Sequence, residues 1–180
     1  RLSSQEEAER LMARNTGPRH RVCRRARTPL CQSKKCPVDR RPYPPGEHGR
    51  GRIRESDYMV QLREKQKVKR MYGLGEKQFR SVFAHAENRP GITGENMLIS
   101  LETRLDNIVF RMGFTVSRSA ARQLVRHRHI EVNGRVLDVP SAEIGPGDEV
   151  AVRSKDKDLM LVQESLESRT RPALVDWLAL

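Results

Sequence analysis

Aromatic residues are scarce in this chain of 180, at 4%, and hydrophobic residues reach only 36%, so each core must be small. No apolar run approaches the ~20 residues that a membrane-spanning helix needs. Residues 1–11 carry Glu6, Glu7 and Glu9 where a signal peptide would have its apolar centre. With no export signal, the expected compartment is the cytoplasm, where thiols stay reduced. Only three cysteines are present, all between Cys23 and Cys36, which is too few and too clustered for a disulfide framework. Catalytic signatures are missing as well. There is no His-Glu-x-x-His, no Gly-x4-Gly-Lys-Ser/Thr and no deaminase pattern, and the carboxylates are scattered. These absences argue against an enzyme, a membrane protein and a secreted miniprotein.

What the chain does have is positive charge, 35 Lys+Arg against 23 Asp+Glu, a net of +12. The excess is local: residues 12–70 hold 18 basic and five acidic side chains, whereas residues 71–180 hold 15 of each. A field of this sign and density calls for a polyanion, and nucleic acid fits better than an anionic membrane. The same stretch holds six of the ten prolines, at 18, 29, 37, 42, 44 and 45. Residues 14–54 are therefore expected to be extended arm and turns, ordered by a metal or a partner because burial cannot order them.

Beyond residue 55 the pattern turns helical. Ser56 caps an expected helix that Gly73 stops, and a second runs over 76–87 with Phe79, Val82, Phe83 and Ala86 on one face. A third is expected over about 94–112, and a fourth over about 117–127 behind the capping Ser117. Pro90-Gly91 and Thr93-Gly94 mark a hinge. Asn133-Gly134 signals a tight hairpin between 130–132 and 135–139, and another strand is expected at 149–153. The expected fold class is α+β: a mainly helical N-terminal domain with an extended, zinc-bound basic arm, then a small module of two helices and an antiparallel sheet.

Three constellations carry chemistry. On the fourth helix Arg118, Arg122 and Arg126 recur at i, i+4, i+8 opposite Ala120, Ala121, Leu124 and Val125, followed by His127, Arg128 and His129. Such a row repels itself in isolation, which suits a phosphate-binding ridge that Arg104 and Arg111 could extend; a solvated polar face is the plainer alternative. The arm Arg40-Arg41-Pro42-Tyr43-Pro44-Pro45-Gly46-Glu47-His48-Gly49-Arg50-Gly51-Arg52 offers phosphate contacts from its arginines and stacking from Tyr43 and His48, unless it is a disordered linker. Arg14, Arg21, Arg24, Arg25, Lys34 and Lys35 around it, and Arg63, Lys65, Lys67, Lys69 and Arg70 on the first long helix, are expected to face RNA too. Finally, His20-x2-Cys23-x7-Cys31-x4-Cys36 provides four ligands in two claws, enough to close a structural tetrahedral zinc site. An iron–sulfur cluster is the minor alternative, since histidine ligation is less common there.

At these residues a resemblance appears. The arm from Arg40 to Gly49, Leu62-Arg63-Glu64-Lys65-Gln66-Lys67, Arg104-Leu105-Asp106-Asn107, and residues 117–134 resemble the bacterial small-subunit ribosomal protein S-four family, over about residues 12–180. The resemblance implies a first domain of residues 12–93 joined by 160–180, and an RNA-binding module over 94–159. Residues 1–11 stand outside it as an unexplained extension, and the family's usual continuation beyond residue 180 implies a first domain incomplete at Leu180. It further implies direct and early binding of small-subunit rRNA, nucleating the 5′ domain. Ribosomal protein S-five is the implied neighbour, and mRNA is met where it enters the subunit. A part in translational accuracy, and in some members repression of their own message, follow as well. Zinc-binding members carry four cysteines, so His20 takes the place of the first. No small-molecule substrate and no homo-oligomer are expected. Stand-alone RNA-binding factors with this module lack residues 14–70, an RNA-modifying enzyme needs a catalytic domain that about 70 remaining residues cannot supply, and a DNA-binding protein needs a recognition helix.

Overall fold

The computed structural model describes residues 17–31, 35–51, 55–156, 159–167 and 175–179. The chain forms two compact units that part between Ser81 and Val82. Among the described residues no helix is long and apolar enough to cross a membrane.

The first unit begins with a helix, α1 (Arg19–Ala26), inside the stretch expected to be extended. The prolines bracket this helix without interrupting it. Pro18 occupies the N-cap, where a missing N–H costs nothing, and Pro29 follows the left-handed Arg27 that ends it (φ 54°). Arg24 and Arg25 lie in its last turn, where cations complement the helix dipole. Among the described residues, the remainder of the arm is irregular apart from one 3-10 turn, Glu47–Arg50. Gly49 is obligatory there, because a Cβ would lie 1.9 Å from the carbonyl oxygen of Pro44. Cys23, Cys36 and Val38 make a small buried cluster, with Leu30 and Cys31 packed on it. Next comes α2 (Asp57–Met71), which starts where Ser56 accepts the Met59 N–H at 3.3 Å and gives way to Gly73 at φ 68°. It contains no fully buried residue. α3 (Glu76–Glu87) occupies the expected span and runs on past Ser81 into the second unit; Phe79 and Ala86 are buried and Phe83 is exposed.

The second unit corrects one expectation. The helix anticipated over 94–112 is two helices, α4 (Thr93–Glu102) and α5 (Leu105–Arg111). Arg104 between them is extended (φ −61°, ψ 138°), and backbone groups near it bond to a distant segment. The N–H groups of Leu105 and Asp106 donate to the carbonyls of Ala142 and Pro140, at 2.9 and 3.1 Å, and Thr103 accepts from Ile144 at 3.0 Å. A continuous helix would have to forfeit these bonds, which the apolar pattern alone does not reveal.

After α5 comes α6 (Arg118–Arg126), whose cap Ser117 accepts the Ala120 N–H at 3.3 Å. A three-stranded antiparallel sheet follows in the order β2-β1-β3, built of β1 (Ile130–Val132), β2 (Arg135–Val136) and β3 (Val150–Val152). Asn133 (φ 51°) and Gly134 (φ 73°) both adopt the left-handed turn geometry that their types favour. β2 and β3 are shorter than the spans expected for them. Leu105, Val109 and Phe110 of α5 meet Ala121, Leu124 and Val125 of α6 over Ile130 and Val152 of the sheet. Full burial of such side chains contributes ~1.5–3 kcal/mol each. A last helix, α7 (Met160–Glu167), adds Val162 to this core, and Ser165 Oγ donates to the Gly113 carbonyl at 2.8 Å. Residues 160–167, expected with the first domain, thus pack in the second unit.

Candidate metal centre and nucleic-acid interface

One turn of α1 sets His20 and Cys23 on the same face, at i and i+3, while the chain beyond it returns Cys31 and Cys36 to them. One ligand atom from each of the four lies within 4.8 Å of the other three, and Cys31 Sγ is 3.8 Å from His20 Nδ1. Cys23 is 1% exposed. Burial, reinforced by the neighbouring Cys31, pushes its thiol up to about 11. The buried Cys23 thiol keeps its proton unless a cation compensates the thiolate. Histidine nitrogen and cysteine sulfur at this separation form a donor set that can hold a metal ion.

The arm is wrapped against the same helix. Arg24 Nε donates to the Tyr43 carbonyl at 3.1 Å, and Arg50 Nη2 donates to the Tyr43 hydroxyl at 3.0 Å. Both guanidinium carbons stand 4.9 Å from the centre of the Tyr43 ring. The ring expected to stack on a base is therefore already engaged by two cations, and its local work is to hold Arg24 and Arg50. Arg21, Arg24, Arg40 and Arg41 line a cavity of about 280 Å³ with His20 and Pro37. Arg25, Lys35 and His48 are exposed. Arg14, Lys34 and Arg52 lie outside the described residues.

Along α2 the expected RNA-facing cations are tied to acids. Lys65 and Lys69 both donate to Glu76, Lys67 to Glu64 and Arg63 to Glu55. Hydrogen bonds from Lys65 and then Lys69 depress the Glu76 carboxyl to about 2. Arg70 is half-buried, and this desolvation, followed by repulsion from Arg25, lowers its affinity for a proton.

In the second unit, α6 carries Arg118, Arg122 and Arg126 along one strip, and the structure adds a layer beneath them. Arg118 Nε donates to Asn107 Oδ1 at 2.8 Å, and its guanidinium sits 4.7 Å from the centre of the Phe110 ring. Arg122 Nη1 reaches Asp106 Oδ2 at 3.4 Å. Arg126 and His127 are exposed, His129 Nδ1 lies 3.1 Å from Asp156 Oδ2, and Arg128 pairs with Asp138 at 3.0 Å. Arg104 departs from the expectation that it extends the ridge. It is 6% exposed and holds Asp106 through two bonds, Nε–Oδ1 at 3.0 Å and Nη2–Oδ2 at 2.7 Å, so it lies inside the module. Arg111 is held in the same manner by Glu102, at 2.8 and 3.1 Å. Glu102, Asp106 and Asn107 were not anticipated as part of the site. The only trace of them was Asp106 and Asn107 standing within the Arg104–Asn107 motif.

Comparison with known proteins bears on both units. Residues 14–102 match the ribosomal protein S4/S9 N-terminal domain family, and residues 103–150 match the S4 domain family. The small ribosomal subunit protein uS4 of Trichlorobacter lovleyi is 51% identical over 175 residues, covering 94% of this chain and 84% of that protein. The protein of the same name from Thermus thermophilus is 51% identical over 176 residues with the same coverage, and that of Geotalea daltonii is 51% identical over 175.

Proposed function

The chain belongs to the uS4 family of small ribosomal subunit proteins, and from that membership we propose that it binds small-subunit rRNA directly, through the basic first unit and the α6 ridge. Membership makes it a structural, non-enzymatic constituent of the small subunit, on cytoplasmic ribosomes. The observation that carries the proposal is the α6 strip, where Arg118 and Arg122 are anchored from below and Arg126 is exposed. A row of like charges has no folding benefit on a solvated face, whereas a phosphate backbone neutralises it. In this reading the exposed cations of the arm grip a second stretch of backbone. Nucleation of the 5′ domain, contact with ribosomal protein S-five, contact with mRNA where it enters, an influence on accuracy and control of its own message rest on the family resemblance and complete the proposal.

Zinc is the proposed occupant of the His20, Cys23, Cys31 and Cys36 cluster. Zinc–sulfur and zinc–nitrogen bonds of ~2.3 and ~2.0 Å give a tetrahedron with edges of roughly 3.5–3.8 Å. The Cys31–His20 separation of 3.8 Å is of that size, and the rest of the cluster is within reach of it. Four protein ligands leave no open position, so the role is to shape the arm.

The test of the RNA reading is the salt dependence of rRNA binding. Changing Arg118, Arg122 and Arg126 together to Ala should flatten the slope of log affinity against log salt by roughly two to three units, at 0.7–0.9 per phosphate contact. A folded triple variant with an unchanged slope rules the ridge out.

A further inference from the structure

We infer that Asn107 is a positioning residue for RNA recognition, fixing the guanidinium of Arg118 toward the phosphate backbone through its carboxamide. The inference rests on the reading of α6 as the rRNA-binding face and names a group that acts on it from inside the module.

Asn107 is 1% exposed, and both ends of its side chain are engaged. Its Nδ2 donates to the Glu102 carbonyl at 2.8 Å and to Glu102 Oε2 at 2.7 Å, while its Oδ1 accepts from Arg118 Nε. This arrangement admits only one orientation of the amide. Reversed, it would set an N–H against the Arg118 donor and an oxygen against two Glu102 oxygens. The Glu102 carboxylate is itself held by the two Arg111 bonds, so the frame behind Asn107 is rigid. On the other side, the Phe110 ring supports the guanidinium. An acceptor at the Nε edge and an aromatic surface together define the plane in which Arg118 lies.

The chemistry of the anchor matters as much as its position. A carboxylate at residue 107 would hold Arg118 equally well, but it would neutralise part of the charge meant for phosphate and repel Glu102. A carboxamide orients the cation and leaves its charge intact. The anionic Asp106, by contrast, is taken up mainly by buried Arg104 and meets Arg122 only at 3.4 Å. The ridge thus sits on a neutral anchor and on an acid already balanced by a buried arginine. An arginine held in its binding geometry loses little rotamer freedom when RNA arrives.

The test is a double-mutant cycle on the full chain, reading affinity and salt slope for a transcript of the rRNA 5′ domain, with circular dichroism as the check of folding. Asn107→Ala should weaken binding about three- to tenfold, the cost of ordering one long side chain, and should leave the slope unchanged because no charge is lost. Arg118→Ala should weaken binding and lower the slope by about 0.7–0.9. The double variant should bind within twofold of Arg118→Ala alone. If Asn107→Ala costs the same factor with and without Arg118, its role is general stability and the inference is overturned. It is equally overturned if a folded Asn107→Ala variant binds as the parent does. Wild-type affinity and slope in Arg118→Ala would remove the ridge reading itself, and the inference with it. Should Asn107→Ala not fold, Arg118→Lys decides. That change keeps the charge but not the Nε anchor or the planar fork, so at least threefold weaker binding at unchanged slope is expected, and wild-type affinity refutes positioning.

Discussion

Replacing Arg104 by Met tests the burial of the ion pair at the centre of the module. In the folded protein Arg104 and Asp106 side chains are each 7% exposed and share two hydrogen bonds. Removing the arginine leaves a carboxylate in a poorly solvated site whose remaining cation, Arg122, is 3.4 Å away. Breaking a buried pair from one side costs about 3–5 kcal/mol. Arg122 can close in and recover on the order of 1 kcal/mol of a charge-assisted bond, so the expected loss is about 2–4 kcal/mol. In a unit of this size that is a fall of roughly 10–20 °C in Tm. Changing both residues, Arg104→Met with Asp106→Leu, should return most of the loss, because well-packed apolar groups replace buried ion pairs with little penalty. Urea unfolding followed by circular dichroism measures both quantities. The salt slope for rRNA should fall in the single variant, by up to about 0.9, because Asp106 then draws on Arg122, and return to its parental value in the double variant, where that acid is gone. A single variant that loses less than about 1 kcal/mol would refute the reasoning, as would a double variant less stable than the single one.

Two further outcomes are expected. Elemental analysis of the native protein should find one zinc per chain; chelation should make the arm protease-sensitive while residues 95–153 stay folded, His20→Cys should retain the metal and Cys31→Ser should weaken its binding, whereas three freely alkylated thiols and no metal would dismiss the site. Glu76 contributes to the pH dependence of the first unit: its carboxyl is depressed from 4.5 to about 2, so its contribution is complete above pH ~4.5 and disappears as the pH falls toward 2. With the side chain 37% exposed and screened by solvent, Glu76→Gln should cost only about 0.5–1 kcal/mol at pH 7. The gap between the parent and this variant should close near pH 2, and a gap independent of pH would contradict the ion-pair origin.

The excess of cations in residues 12–70 and the α6 row point to one partner class, yet the structure separates these cations by their surroundings. Lys65 and Lys69 share Glu76, Arg104 is internal, and Arg24 and Arg50 embrace Tyr43, while Arg126 is exposed. A basic residue in the sequence is thus a candidate for phosphate only after its neighbours have been identified. The triad of Glu102, Asp106 and Asn107 illustrates the converse, since two acids and an amide in a near-neutral segment help to organise a cationic surface.

What the sequence by itself determined are the features decided within a few residues. Ser56 and Ser117 cap helices because a short hydroxyl reaches a backbone N–H three residues on, and Asn133-Gly134 turns the hairpin because both tolerate positive φ. The spacing of His20, Cys23, Cys31 and Cys36 announced a four-ligand cluster, since one helical turn and one short return suffice to gather them. The helix α1 was legible in principle as well, for no proline or glycine falls between residues 19 and 26, but the density of proline around it concealed that interval. Only the tertiary structure decided the break at Thr103-Arg104, the burial of Arg104, the acid partners of α2 and the grip of Asn107 on Arg118. The physical reason is range. A periodic apolar pattern reports which side chains leave water, but a polar group's fate depends on which partner the fold brings to it, and the carbonyls of Pro140 and Ala142 that break a helix nearly forty residues earlier leave no mark in the helix's own sequence.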